Sequence, residues 1–471
     1  MERALSYLAE TKAKRLKELE EFLRFPSISS DSRRQRDMES CADHCARLMR
    51  RAGLSPVLVE ETDGAPLVLG EWRGAPGKPT LLIYGHYDVQ PVDPLSEWKE
   101  DPFSPWIEDD RLVARGSADD KGQILMHIQA LEALMRTEGR LPLNVVVLVD
   151  GEEEIGSPHL RPYLEANRKT LQADVVVVSD TAMWGIDQPA ITVGLRGLTQ
   201  LEVEATGPCR DLHSGTYGGA VLNPVEGLAR LLAGLKDDQG KVVVPGFYDQ
   251  VAPLSDEVRR ELAAIPFDEV AYLAELGLTS GWGETEYSLL ERIWLRPTLE
   301  INGLWGGFTG PGSKTVLPSK AWAKLSMRLV SDQDPEVMAT LLSDYLQRQA
   351  PEGLSIRIRR FPGGGRSVAV PRDWQALQLA CRALEETFGA APYRVCEGAS
   401  IPIVADFKEV LGAQTLLIGF SLPDAKAHSP NENLHLPTFY KGADALVRLM
   451  HSLGTTSKEL LIGNRDWLRP S

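Results

Sequence analysis

The chain has 471 residues, of which 43% are hydrophobic and 25% are charged, and its formal net charge at pH 7 is -15. This length exceeds the size at which a single hydrophobic core usually keeps growing, so we expect two domains. The composition is that of a globular protein, and the acidic balance argues against nucleic acid as a partner, because proteins that bind nucleic acid concentrate Lys and Arg.

The sequence indicates neither a membrane protein nor a secreted one. It contains no apolar run long enough to span a bilayer, and residues 1–22 form a charged amphipathic pattern without the apolar core of a signal peptide. Five cysteines, few and odd in number, lie mostly within apolar patterns, as expected of reduced packing residues. We therefore expect a cytoplasmic protein without thiol chemistry and without a membrane partner.

The first part of the chain alternates predicted helices with predicted strands. Apolar residues at helical spacing predict helices over residues 1–24, 37–52 and 123–135. Short apolar and β-branched runs predict strands over residues 56–60, 67–72, 80–84, 143–149 and 173–179. This alternation is typical of an α/β domain built on a mostly parallel sheet that is covered on both faces.

The pattern changes after Ile191. Residues 192–205 and 322–330 alternate apolar and polar side chains, as in a half-buried antiparallel sheet, and helices are predicted over 224–235 and 335–348. Fully buried patterns then return at 374–388, 414–418 and 437–453. We predict an inserted α+β domain at residues 196–367, with residues 362–366 as its return linker, inside a discontinuous domain formed by residues 1–195 and 368–471.

Imidazoles and carboxylates recur where the predicted strands of the larger domain end. They are His86, Asp88, Asp119, Glu153, Glu154, Asp180 and His428. Taken singly, each has an ordinary explanation as a structural histidine or a helix cap. Acids that recur at one edge of a sheet, however, repel one another unless a cation lies among them. Two imidazoles and three carboxylates can hold two divalent ions if one carboxylate bridges the pair.

Several motifs, in this order and spacing, resemble one known superfamily. They are GHYDVQP, the Asp-Asp-Lys-Gly turn, GEEEIGS, the Ser-Asp of VVVVSD, DLHSG and AHSPNE. The chain resembles the di-metal peptidases that include aminoacylase, glutamate carboxypeptidase and carnosinase, over nearly its whole length. The segments RPTLEINGLWGGF, SKTVLP, LSMRLV and EGASIP make it most similar to the carnosinase-type dipeptidases. One departure is Asp150, which stands where the family usually has Glu before the glycine of the acidic motif.

The resemblance implies a role for each matched residue. His86 and Asp180 would bind one metal, Glu154 and His428 would bind the other, and the carboxylate of Asp119 would bridge the two metals. The peptide bond between Asp119 and Asp120 is often cis in this family. Asp88 would orient His86, and Glu153 would act as general base. His213 would reach across a homodimer to stabilise the oxyanion, while Thr315, Arg328 and Ser400 would bind the terminal carboxylate of the substrate.

These roles predict metal-dependent hydrolysis of dipeptides or short peptides with a free C-terminal carboxylate, by a metal-bridging hydroxide with Glu153 as the base. Two zinc ions suit the mixed nitrogen and oxygen ligands, although manganese or cobalt also fits a carboxylate-rich site. The inserted domain would serve as a lid and as the homodimer interface. An N-acyl-amino-acid deacylase with the same ligands is one alternative, and a non-catalytic dimeric scaffold stabilised by metals is another.

Overall fold

The computed structural model describes residues 1–361, 364–398 and 401–462. Contacts along the chain divide the protein into two compact units. Unit 1 contains Met1–Val193, Val370–Val395 and the chain from Asp406 onward, and unit 2 contains Gly194–Ala369 and Cys396–Ala405. The assignment of a catalytic domain and an inserted lid domain, with a boundary at 196 and 367, stays a prediction.

The secondary structure is numbered in chain order. The helices are α1 (Glu2–Glu10), α2 (Lys12–Leu23), α3 (Gln35–Arg51), α4 (Lys121–Glu138), α5 (Leu160–Ala166), α6 (Ser214–Tyr217), α7 (Pro224–Ala233), α8 (Asp256–Ala263), α9 (Glu269–Glu275), α10 (Leu289–Leu295), α11 (Pro335–Arg348), α12 (Gln375–Phe388), α13 (Pro402–Asp406), α14 (Leu436–Thr455) and α15 (Lys458–Ile462). The strands are β1 (Val57–Glu60), β2 (Leu67–Trp72), β3 (Thr80–His86), β4 (Trp106–Glu108), β5 (Arg111–Val113), β6 (Asn144–Asp150), β7 (Val175–Val178), β8 (Ala190–Leu195), β9 (Gly197–Thr206), β10 (Leu212–His213), β11 (Thr298–Gly306), β12 (Val316–Leu317), β13 (Lys320–Leu329), β14 (Ser355–Arg360), β15 (Val368–Ala369), β16 (Tyr393–Glu397), β17 (Gln414–Leu417) and β18 (Asn433–His435).

A twisted sheet forms the centre of unit 1, in the order β1, β2, β6, β3, β7, β17 and β8. The four central strands are parallel to one another, whereas β1, β2 and β8 pair antiparallel with their neighbours. Every residue of β3 and β7 is buried, which explains their continuous apolar sequence. The predicted α/β class, with a mostly parallel covered sheet, is confirmed.

Helix α4 packs directly on β3 and is itself covered by α1, α2 and α14. Nearly all of its residues are therefore buried, including the polar His127 and Gln129. On the flank of the sheet, α3 packs on β1 and β2. Because helices cover the faces of such a sheet, a site is built by the loops that follow the carboxyl ends of its central strands.

Unit 2 contains a four-stranded antiparallel sheet in the order β11, β13, β9 and β14. Alternate residues of β9 and β13 are buried, as the period of two in the sequence predicts. Helices α7 and α11 cover that face. The shared core includes Leu201, Val203, Leu325, Leu342 and Leu346. This is the α+β layer expected for the inserted part of the chain.

Two local predictions differ from the structure, and a third falls partly outside the described residues. The helix predicted over residues 1–24 is broken at Thr11, whose hydroxyl and backbone N–H both donate to the carbonyl oxygen of Tyr7, at 2.7 and 3.0 Å, an arrangement that bends helices. The single strand predicted over 192–205 is two strands, β8 and β9, because each belongs to a different sheet. Two of the five residues of the predicted return linker, residues 362 and 363, lie outside the described residues.

Within the described part of the chain, none of the helices combines the length and the apolar character that crossing a bilayer requires.

Buried His127 predicts how acid destabilises unit 1. Its Nε2 lies 2.7 Å from Ser179 Oγ, and burial lowers the pKa of His127 from 6.5 to about 3. Because the unfolded chain binds this proton and the folded chain does not, stability is lost as the pH falls below 6.5, by about 2 kcal/mol at pH 5. We expect the free energy of unfolding in urea to fall less between pH 7.5 and pH 5 in His127→Gln than in the unmodified protein, by about 2 kcal/mol. An unchanged loss would contradict this role for His127.

Candidate active site

The predicted site residues of unit 1 follow the carboxyl ends of neighbouring parallel strands. His86 is the last residue of β3 and lies beside Asp150, the last residue of β6, so the acidic turn that follows Asp150 begins next to His86. Strand β7 borders β3 on its other side and leads to Asp180, and β17 borders β7 and leads into the loop that carries His428. The structure therefore brings together side chains that are far apart in sequence.

Two groups of donor atoms share one carboxylate. His86, Asp119 and Asp180 form one group, and Asp119, Glu154 and His428 form the other, with the donor atoms of each group within 4.8 Å of one another. Asp119 Oδ1 lies 3.0 Å from His86 Nε2, and its Oδ2 lies 2.9 Å from His428 Nε2. His428 Nε2 is also 3.3 Å from Glu154 Oε2. Asp119 thus lies between the two imidazoles, with one oxygen toward each.

The charges at this edge are strongly coupled. Burial alone would raise the pKa of Asp119, but hydrogen bonds from His428 and His86 outweigh it and hold that pKa below its usual range. Hydrogen bonds to Asp119 and Glu154 raise the pKa of His428 to about 10. Burial, followed by the charge of Asp119, raises the pKa of Asp180 well above its usual range. Without a cation, protons must compensate the crowded carboxylates.

The residues present fit two divalent cations. Imidazole nitrogen and carboxylate oxygen are the mixed ligand set of zinc and related transition metals, and a shared carboxylate is the usual bridge of a metal pair. The side chain of His86 is fully buried, whereas that of His428 is 55% exposed. One donor group is therefore enclosed by the sheet, and the other opens to solvent at His428.

Asp88 connects three parts of the site. Its carboxylate accepts hydrogen bonds from the backbone N–H groups of Glu153 and Glu154, at 3.2 and 3.0 Å, and its side chain is fully buried. His86 Nδ1 faces two acceptors on the same residue, the carbonyl oxygen at 3.1 Å and Oδ1 at 3.2 Å. Nδ1 therefore carries a proton, and Nε2, which faces Asp119, is the nitrogen that could bind a cation.

Glu153 lies in the turn that Asp88 holds. Burial raises the pKa of Glu153 to about 7, so its carboxyl group can exchange a proton near neutral pH. Asp150, the residue that departs from the family pattern, accepts hydrogen bonds from Glu152 N at 3.0 Å and Ser157 Oγ at 2.6 Å, and thereby shapes the same turn. Tyr84 Oη on β3 donates to the same carboxylate at 3.3 Å, so Asp150 also joins the turn to the sheet.

Sequence reasoning did not single out Gln90. Its Nε2 donates to Glu154 Oε2 at 2.7 Å, so it orients a carboxylate that also faces His428. Gln90 belongs to the GHYDVQP motif, and its position two residues beyond Asp88 is the only sequence signal that pointed to it. The peptide bond between Asp119 and Asp120 is cis, as the resemblance implies.

The remaining predicted residues belong to unit 2, except for Ser400, which lies outside the described residues. His213 is exposed, and its Nδ1 accepts a hydrogen bond from Gly215 N at 3.0 Å. Thr315 lies close by, because its carbonyl oxygen accepts from Ser214 N at 3.0 Å. Arg328 is half-buried on β13, where burial lowers its pKa. Their roles in binding substrate stay predictions.

Comparison with known proteins agrees with this geometry. The model of peptidase family M20/M25/M40 matches residues 82–452. The chain belongs to that family. It is an enzyme of the metallopeptidase class, and the predicted relation to carnosinase-like dipeptidases is confirmed.

The relatives match over most of their own length. A Cys-Gly metallodipeptidase DUG1 of Candida albicans is 31% identical over 95% of this M20-family chain and 96% of that protein. The human Beta-Ala-His dipeptidase is 33% identical over 80% of this chain and 75% of that protein. Among solved structures, the M20 family metallo-carboxypeptidase Sso-CP2 from Sulfolobus solfataricus is 33% identical, with a TM-score of 0.83 over 94% of this chain and 99% of its own.

The contacts of Asp88 generate a prediction about metal affinity. Both carboxylate oxygens of Asp88 face hydrogen-bond donors, namely two backbone N–H groups and His86 Nδ1. In Asp88→Asn one oxygen becomes an amide NH₂ group, which cannot accept a hydrogen bond from any of them. We expect about 10- to 100-fold weaker metal binding, measured by competition with a chelator. Asp174→Asn is a matched control, since buried Asp174 accepts from Thr80 N at 2.9 Å at the opposite end of β3. Equal metal affinities in the two variants would contradict the role assigned to Asp88.

Proposed function

We propose that this protein is a di-metal dipeptidase that hydrolyses dipeptides or short peptides with a free C-terminal carboxylate. The observation that carries the proposal is the position of Asp119 between two imidazoles, with Glu153 in the adjoining turn. The substrates in the names of two relatives, Cys-Gly and Beta-Ala-His, support a dipeptide as the substrate class.

In this proposal His86 and Asp180 hold one cation, Glu154 and His428 hold the other, and Asp119 is shared. Zinc suits these ligands, and manganese or cobalt also suits them. When bound, the cations would polarise the scissile carbonyl and increase the acidity of a water molecule. Asp88 fixes the tautomer of His86, and Gln90 orients Glu154 through its 2.7 Å hydrogen bond.

Glu153 is the proposed general base and acid. Its carboxylate takes a proton from the attacking water and later returns a proton to the nitrogen of the leaving amine. Burial raises the pKa of Glu153 above its ordinary value, which is the direction that makes its carboxylate a better proton acceptor. Asp88 holds the backbone of Glu153 and Glu154 together, so the base stays beside the ligand.

His213 is the proposed donor to the oxyanion that develops on the scissile carbonyl. Because its Nδ1 accepts from Gly215 N, the neutral ring carries its proton on Nε2, where it can donate. Arg328, Thr315 and Ser400 are proposed to bind the terminal carboxylate of the substrate, for which the planar guanidinium of Arg328 is suited. We also propose a cytoplasmic location, since all five cysteines are free.

Homodimerisation through unit 2 completes the proposal. Strand β11 pairs on one side with β13 and is an outer strand of the described four-stranded sheet. Apolar side chains on and just after it are exposed: Ile301 at 48%, Leu304 at 46% and Phe308 at 45%. Such an edge, with unpaired backbone groups and apolar side chains, suits a second copy of the same surface across a twofold axis.

The dimer prediction can be tested at Leu304. We expect Leu304→Lys to shift the protein toward monomer in light scattering after gel filtration, and to lower hydrolysis in parallel, because His213 would then lack a partner site. Val270→Lys, at a side chain on α9 that is 78% exposed, is the control and should leave the mass unchanged. A fully active monomer would contradict the proposed role of His213 in the partner site of a dimer.

The mechanism is tested at Glu153. We expect Glu153→Gln to keep its metal content but to lower kcat on a dipeptide by about 100-fold or more, because the amide cannot accept the proton. Glu152→Gln is the neighbouring control, since Glu152 instead binds His159 Nδ1 at 2.7 Å and Ala65 N at 3.2 Å. It should retain its activity.

The substrate class is tested in the same assay on the unmodified protein. Dipeptides and N-acetyl amino acids are offered side by side. Faster turnover of the N-acetyl amino acids would favour the deacylase. No hydrolysis of either class by the metal-loaded unmodified protein would contradict the proposed function.

A further inference from the structure

Glu432 follows His428 in the AHSPNE motif, and its side chain is only 1% exposed. We propose that Glu432, together with Arg115, is a positioning residue that sets Asp119 relative to His428 and thereby determines metal affinity. This inference rests on the proposed di-metal function, but it concerns residues that touch neither substrate nor metal.

The carboxylate of Glu432 accepts four hydrogen bonds from one short segment. Oε2 accepts from Arg115 Nη1 at 2.7 Å and from Gly116 N at 2.9 Å. Oε1 accepts from Ala118 N at 2.9 Å and from Asp119 N at 3.1 Å. One of these donors is therefore the backbone of the shared ligand itself. A carboxylate with all four lone-pair positions in use holds a segment rigidly.

The other end of this connection is the loop that carries His428. Residues 426–429 are exposed, and Lys426, His428 and Asn431 have positive φ angles of 57°, 60° and 63°. The carbonyl oxygen of Glu432 accepts from Ala114 N at 3.0 Å, so the backbone of Glu432 is also fixed to the segment before Asp119. Glu432 thus ties an exposed loop to a buried turn.

The direct contact between Asp119 and His428 cannot set their relative positions once a cation is bound. His428 Nε2 and Asp119 Oδ2, 2.9 Å apart, are the atoms that would bind a cation, so their mutual hydrogen bond is lost when the cation enters. The four bonds to Glu432 involve neither of these atoms and persist. They fix the backbone of Asp119 to the side chain of Glu432, four residues after His428, and so would limit the spacing of the two ligands when a cation binds.

Unit 2 contains a second buried ion pair, Glu284 with Arg296, which serves as a control for Glu432 and Arg115. Glu284 accepts from Arg296 Nε and Nη2 at 2.7 and 2.8 Å, and both side chains are less than 10% exposed. The guanidinium also lies 4.2 Å from the ring centroid of Tyr287. Among the residues that the structure describes, no hydrogen bond joins the Glu284 carboxylate to a candidate metal ligand. Breaking this pair should cost stability alone, since removing one partner leaves the other buried charge uncompensated.

The experiment compares Glu432→Gln with Glu284→Gln in the full-length protein. Each variant is stripped with chelator and titrated with Co²⁺, with affinity measured by chelator competition and coordination followed by visible absorption. Both variants should unfold at lower temperature. We expect only Glu432→Gln to bind Co²⁺ about 10- to 100-fold more weakly and to alter the absorption bands, since oriented outer residues control ligand geometry.

A milder variant covers the case in which Glu432→Gln does not fold. Glu432→Asp keeps the charge opposite Arg115 but is one methylene too short to reach all four donors, so a several-fold loss of Co²⁺ affinity is expected. Wild-type Co²⁺ affinity and spectrum in the folded Glu432 variant would overturn the inference. Failure of the unmodified protein to bind two Co²⁺ ions would instead overturn the proposed function, so the two failures are distinguishable.

Discussion

The candidate site of unit 1 is built around the carboxylate of Asp119, which lies between the imidazoles of His86 and His428. Four parallel strands end at the same edge and bring further carboxylates to this point. Like charges at such distances are unfavourable in a buried environment, and only protons or cations can compensate them. The fold therefore concentrates charge that a folding core alone would avoid, which is the physical reason why we propose that this edge is the active site of the M20-family chain.

Two kinds of support surround that contact. His86 lies at the end of a fully buried strand, and its ring is fixed by Asp88, which also holds the turn of Glu153 and Glu154. His428 lies on an exposed loop and has no strand to position it. Glu432 provides the missing constraint through four bonds to the segment that ends at Asp119. The enclosed half of the site is thus positioned by the sheet, and the open half by a buried carboxylate.

Much of this arrangement could be predicted because its signals are local. Continuous apolar runs indicated β3, β6 and β7, and a polar residue directly after each run marked the edge where a site would lie. Alternation with a period of two indicated β9 and β13 in the same way. The predictions failed where a local pattern continued across a structural boundary, as at Arg196, where β8 ends and β9 begins in another sheet.

The sequence by itself determined the fold class and the strand ends, since these follow from residue type and short-range spacing, while the resemblance to the di-metal peptidases implied which imidazoles and carboxylates would serve as ligands. Only the tertiary structure decided which of them meet and what holds them. The bonds from Glu432 to the turn of Asp119 join residues more than 300 positions apart, as the separation of 313 between Glu432 and Asp119 illustrates. No periodicity records such a contact, because a hydrogen bond depends on the distance between two atoms in space and not on their separation along the chain.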